Sequence, residues 1–183
     1  MGWILGGAVL VALVAGIGIY NGLVRLRNQV RTAWADIDVQ LLRRHDLVPR
    51  LVEAVKAYAA HERSLLESVT ALRAQALDTR SPRRLADVEQ RLEQSLTQLL
   101  ALREAYPELK ANENFLQLQR DLVDVEEHLQ YARRFYNGAV RDLNDGIQRF
   151  PAVLVARVGG FGEAEFFSAG DEARDAPRIG SGA

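Results

Sequence analysis

Residues 3–23 read WILGGAVLVALVAGIGIYNGL, from Trp3 to Leu23, and this stretch decides the fold. It holds only apolar residues, glycines, one Tyr and one Asn. As a helix it would be about 32 Å long, which matches a bilayer hydrocarbon core of roughly 30 Å. Trp3 and Tyr20 fall near its two ends, where amphipathic rings favour the headgroup level. No side chain from Met1 to Val24 is charged, so all 23 Lys+Arg and 24 Asp+Glu lie beyond it. A cleaved signal peptide would need a basic segment ahead of the apolar run, and none precedes it. Leu13-Val14-Ala15-Gly16 starts like a lipoprotein processing site, but Ile17 follows and the chain has no cysteine to lipidate. The reading is a transmembrane anchor over residues 1–24.

Arg25, Arg27 and Arg31 follow the apolar run at once, while only the amino terminus precedes it. The positive-inside rule then predicts the N-terminus outside and the bulk of the chain in the cytoplasm. Within the span Gly18 and Gly22 form a G-x-x-x-G, a spacing that lets two helix backbones approach closely. Small residues are also simply common in membrane helices, so the motif leaves both readings open.

Past the anchor the pattern is helical. Leu26, Val30, Trp34, Ile37 and Leu41 are spaced by three or four, one stripe continuing out of the membrane. Pro49 either kinks this helix or opens a new one capped by Asp46. Leu51, Val55, Tyr58, Leu65, Val69 and Leu72 then carry the stripe to about Ala76. Ser81-Pro82 reads as an N-cap followed by proline in the first helical position. The next stripe, Leu85 to Leu102, stops near Tyr106-Pro107. The last runs from Phe115 to Phe150 with a doubled step of four at Ala132-Tyr136-Val140, a stutter that locally unwinds a supercoil. No strand alternation occurs before residue 150. Helices with narrow stripes must pack on one another through short turns. The expected fold class is therefore all-α: an elongated antiparallel bundle of three to four long helices over 25–150, behind the anchor. Residues 151–167 form an apolar segment interrupted by glycine, in which Phe161, Phe166 and Phe167 predict docking or membrane contact. Residues 168–183, rich in Gly, Asp, Arg, Pro and Ser, read as a disordered tail.

Near-balanced charge gives no global field pointing to nucleic acid or an acidic substrate. His61-Glu62 begins a zinc-protease motif, but Leu65 stands where the second His belongs. The residues three before His45, His61 and His128 are Leu42, Tyr58 and Val125, so the Glu-x-x-His of di-iron bundles is absent. No phosphate-binding glycine loop or nucleophile elbow occurs. The expectation is a protein with no catalytic activity, no metal and no cofactor.

One dense polar patch, Arg43-Arg44-His45-Asp46 next to Pro49, reads either as a solvated basic face or as a contact surface. Guanidinium groups there are suited to bidentate bonds with a partner's carboxylate or a lipid phosphate. Arg133, Arg134 and Asn137 form a second candidate surface. Asn137 and Asn144 are unfavourable inside a helix by propensity. They either fix register through inter-helix hydrogen bonds or face water.

The motifs also resemble a known family. The block Tyr20-Asn21-Gly22-Leu23-Val24-Arg25-Leu26-Arg27-Asn28 is similar to the LemA family, as is Ala33-Trp34-Ala35-Asp36-Ile37-Asp38-Val39-Gln40. So are Arg43 to Pro49, Lys56-x-Tyr58, His61-Glu62, Tyr136-Asn137, Asn144, Phe150-Pro151, Gly160-Phe161 and Phe166-Phe167, so the likeness covers roughly residues 20 to 167. The resemblance implies a bacterial membrane protein with an elongated helical domain. It also implies an accessory or scaffolding part beside membrane proteases or other small membrane proteins. Ile17 departs from relatives that carry a lipoprotein cysteine, which favours a spanning helix over a lipid anchor. Arg50 stands where the family has Asn, and Ala57 where it has Gly. The second change stiffens a helix by about 1 kcal/mol and puts a hinge there in doubt.

The leading expectation is a single-pass protein of the bacterial inner membrane, homo-oligomeric, acting as scaffold or adaptor. Its expected partners are membrane lipid, further copies of itself and a membrane protease or small membrane protein, with no nucleic acid and no small-molecule substrate. The alternative is a lipid-binding or membrane-remodelling protein that uses the basic patch and the Phe-rich tail.

Overall fold

The computed structural model describes residues 2–168. Of the expected disordered tail all but Ser168 lies outside the described residues. Among the described residues the chain is helical and has no strand. The helices are α1 (Gly2–Lys56), α2 (Arg63–Asp78), α3 (Pro82–Ala101), α4 (Pro107–Lys110), α5 (Glu113–Gln148) and α6 (Ala152–Gly159). Contacts divide the described residues into two compact units, 2–46 with 121–166, and 47–120 with 167–168.

In the first unit α1 and α5 run antiparallel. Leu23 and Leu26 approach Gly146, Trp34 packs on Tyr136, and Arg43 pairs with Asp124, so residue numbers fall along α5 as they rise along α1. Leu23, Val30, Ala33, Ile37 and Leu41 are buried on α1, and Leu122, Val125, Leu129, Tyr136, Val140, Leu143 and Ile147 on α5. Of the predicted α1 stripe, Val30, Ile37 and Leu41 are buried and Leu26 and Trp34 half-buried, with Leu23 and Ala33 added to it. The predicted α5 stripe is buried from Leu122 to Ile147, and Phe150 at its end is exposed. At the stutter Ala139 is buried beside Val140 and keeps the stripe continuous. The two helices approach closely at Gly146, where a Cβ would sit 2.9 Å from the end of the Leu26 side chain. Ahead of this packed part the apolar stretch of α1 is bare, long and apolar enough to cross a membrane, and none of its described residues before Leu23 is buried against the rest of the chain. It is a candidate membrane span. Leaving it in water would cost on the order of 25 cal/mol per Å² of apolar surface.

In the second unit α2 and α3 pack together across the turn at 79–81. Ser81 caps α3 by accepting from the Arg84 N–H at 3.5 Å, with Pro82 in the first turn. Asn112 caps α5: its side-chain oxygen accepts from the Phe115 N–H at 2.9 Å. Its amide donates to the Tyr58 hydroxyl at 3.0 Å.

Two points on α1 differ from or settle the sequence reading. Pro49 lies inside the helix and does not end it. The expected continuation to Ala76 is wrong: α1 stops at Lys56, and a turn at 57–62 precedes α2. The stripe lapses there, since His61 and Glu62 occupy the positions three and four beyond Tyr58. The Ala59 N–H closes on the Val55 carbonyl at 2.8 Å and Ala59 itself is buried, so packing of the turn outweighs the helix preference of alanine.

Candidate functional site

The end of α5 turns through Phe150-Pro151 into α6, which stops at Gly160. Gly160 has φ +66°, a left-handed conformation that glycine adopts without strain, and the Phe161 N–H then closes on the Ala156 carbonyl at 3.0 Å. Beyond it the chain doubles back along α5. Asn144 meets it with both ends of its amide, donating to the Ala164 carbonyl at 3.0 Å and accepting from the Ala164 N–H at 2.9 Å. Gln148 donates to the Glu163 carboxylate at 2.8 Å, and the Tyr136 hydroxyl donates to the Glu165 carbonyl at 2.8 Å. The Phe161 ring is buried edge-on against Tyr20 at 5.4 Å, with the Arg27 guanidinium 4.9 Å above it. These contacts clasp the returning segment to both helices of the first unit.

Asn144→Ala removes two bonds, worth about 1 kcal/mol each. The expected result is faster amide exchange at Ala164 while the α1–α5 core amides keep their protection. Tyr136 makes the clasp sensitive to alkali. Burial first, and the Glu165 carboxylate second, push its phenol from 10.0 up to about 12. The folded state holds the neutral phenol. Its contribution is therefore complete below pH 10, the unperturbed value, and lost as pH rises through about 12. Thermal unfolding followed over that window should show the loss in the parent chain and a smaller one in Tyr136→Phe.

The dense polar patch divides by burial. Arg44 is 1% exposed and pairs with Glu126 at 3.6 Å, and His45 is buried beside it in sequence. Arg43 is half-exposed in a 2.8 Å pair with Asp124, while Asp46 and Pro49 are exposed. Trp34 is half-buried, edge-on to Tyr136 at 5.2 Å. Arg133 and Asn137 are half-buried, and the exposed Arg134 stacks over Tyr131 at 4.7 Å. Phe167 is buried and Phe166 is 41% exposed. In the span Trp3 is exposed and Leu23 buried, and a Cβ at Gly18 or Gly22 would meet nothing within 4 Å. Sequence reasoning did not single out Glu89, which is buried on α3, nor Asp124 and Glu126 as arginine partners.

Among the described residues of the first unit, one open groove, of about 340 Å³, is lined by Asp36, Val39, Gln40, His128, Tyr131, Ala132 and Phe135. Another, of about 790 Å³, runs between the apolar stretch of α1 and α6. Among the described residues no group of three or more His, Cys, Asp or Glu side chains comes together to hold a metal ion.

Residues 33–180 match the LemA family, which takes in the Arg43–Pro49 patch and the clasp contacts made by α5, while Tyr20 and Arg27 precede the match. The chain belongs to the LemA family. This LemA-family chain is also similar to the magnetosome protein MamQ of Magnetospirillum gryphiswaldense, at 22% identity over 189 residues, 87% of the chain and 70% of that relative. The magnetosome protein MamQ 2 of Paramagnetospirillum magneticum is 23% identical over the same shares.

Proposed function

We propose that this LemA-family chain is a membrane-anchored, homo-oligomeric scaffold or adaptor with no catalytic activity of its own. In this reading α1 spans a bacterial inner membrane, with the N-terminus outside and the helical units in the cytoplasm. The observation that supports it best is the continuity of α1, in which one helix carries the bare apolar stretch and the stripe packed against α5. A helix that is bare along its first part and buried on one side against α5 farther on links position in the bilayer to the packed part of the first unit. The open face at Gly18 and Gly22 suits a second span. The exposed Val39, Tyr131 and Phe135 offer a surface to a membrane protease or small membrane protein. Lipid binding through Arg43-Arg44 and the Phe-rich tail is less favoured, because Arg44, Phe161 and Phe167 are enclosed.

The test is the mass of the full chain in detergent, by light scattering with the detergent contribution subtracted. The expected protein mass is a discrete multiple of 20.4 kDa, reduced when Gly18 and Gly22 are both replaced by Ile. A clean monomer at micromolar concentration contradicts the oligomeric scaffold.

A further inference from the structure

The part of the apolar stretch nearest the packed units has a neighbour that its sequence does not announce. Helix α6 lies beside it, and the groove between them is lined by Leu13, Gly16, Ile17 and Tyr20 on one side and Leu154, Val155 and Val158 on the other. Only Ala156 of α6 is buried. Val158 is 92% exposed, Leu154 55%, and Phe150 just ahead of the helix 81%. Leu154 and Val158, spaced by four, share one open face of α6 with the exposed Arg157, whose long side chain can reach the headgroup level. Several large apolar side chains bare on so short a segment are unfavourable in water. The clasp holds that segment in place, through Asn144 on Ala164 and Tyr136 on Glu165.

Its position says what covers it. Ile17 lies about 9 Å along the helix from Leu23, the last residue of the apolar stretch, at a rise of 1.5 Å per residue. A bilayer that encloses Trp3 to Leu23 therefore also reaches the groove and the outer face of α6. We propose that α6 is a second membrane contact, a short helix seated in the cytoplasmic half of the bilayer beside the span, with a phospholipid acyl chain seated between α6 and α1. The chain then meets the bilayer twice, at its anchor and where it returns after α5. The clasp fixes the depth of the second contact relative to the first. This inference rests on the proposed anchoring by α1.

The experiment uses the full chain in nanodiscs of phosphatidylcholine and phosphatidylglycerol, with single cysteines placed against the cysteine-free background. Val158→Cys, Ile17→Cys and Val123→Cys each carry an environment-sensitive fluorophore. Val123 is an exposed control on α5; it adjoins Asp124, whose partner Arg43 lies roughly 30 Å beyond Leu23 along α1. A nitroxide placed shallow on the lipid acyl chain quenches only probes that touch lipid. The expected result is blue-shifted, strongly quenched emission at position 158, comparable with position 17 and several times the quenching at 123. Water-like emission at 158 overturns the proposal. Blue-shifted emission without quenching also overturns it, since protein and not lipid then covers the face, as in packing of a second copy. Quenching at 17 with none at 158 removes only this inference. No quenching at 17 removes the anchoring reading itself.

Discussion

Arginine at both Val11 and Val14 is expected to move the chain out of the carbonate-resistant membrane fraction. The two sites lie near the middle of the apolar stretch and both are exposed, so the packed units do not depend on them. An arginine at the centre of a membrane helix costs about 2.5 to 3.5 kcal/mol on insertion scales, or about 5 to 7 for the pair. That is enough to reverse a marginal insertion by several powers of ten. The contact made by α6 is short and does not replace a lost span. Thermal unfolding of the packed units should stay near that of the parent, because the bundle stripes are untouched. Leucine at the same two positions is the control and should leave the chain membrane-bound. A double arginine variant still resistant to carbonate would mean that the apolar stretch is not the anchor.

Arg44→Ala and Arg43→Ala should differ sharply, although each removes one arginine in a carboxylate pair. Arg44 is enclosed, and its truncation should cost about 3 kcal/mol, chiefly from the emptied space in the packed interior, since the Glu126 side chain keeps part of its surface in water. For a chain of this size that lowers the unfolding midpoint by roughly 6 to 12 °C. Arg43 meets Asp124 in the open, where water and salt screen the pair, so its removal should cost less than about 1 kcal/mol. The reverse order in a side-by-side melting experiment would show that proximity to the patch, not burial, sets the cost. Raising the salt concentration should erase what remains of the Arg43 effect and leave most of the Arg44 effect.

The helices were legible because each buries one stripe, and a stripe leaves a three-four spacing in sequence whatever it packs against. Ser81-Pro82 was legible for a local reason, as capping involves only neighbours in the chain. The enclosed charges were not read, yet their signal was present. Arg44 lies three residues after Leu41 and four before Val48, on the core stripe itself. Glu89 is placed likewise, four after Leu85 and three before Leu92. A charge at a stripe position predicts burial better than the density of charges around it, which is what drew attention to Arg43 to Asp46. The turn at 57–62 leaves a lapse in the stripe at His61-Glu62, which the seven-residue step from Tyr58 to Leu65 masks because it still keeps a helical period. Asn144 was read as a bridge between helices or a water-facing residue. Its actual acceptor and donor are the backbone of Ala164, which only the left-handed turn at Gly160 brings within reach. The place of α6 beside the apolar stretch had no local signal at all. It follows from the length of α5 and the antiparallel register, which together return the chain to where it left the span.

The most direct test of the whole account is the sidedness of two single cysteines, Gly2→Cys at the start of α1 and Arg80→Cys in the turn before α3. Both are read by a membrane-impermeant maleimide on intact cells, with the outer envelope opened, before and after lysis. The account predicts that position 2 labels before lysis and position 80 only after it. Labelling of both positions before lysis, or of neither, would contradict a span that holds the two ends of α1 on opposite sides of the membrane.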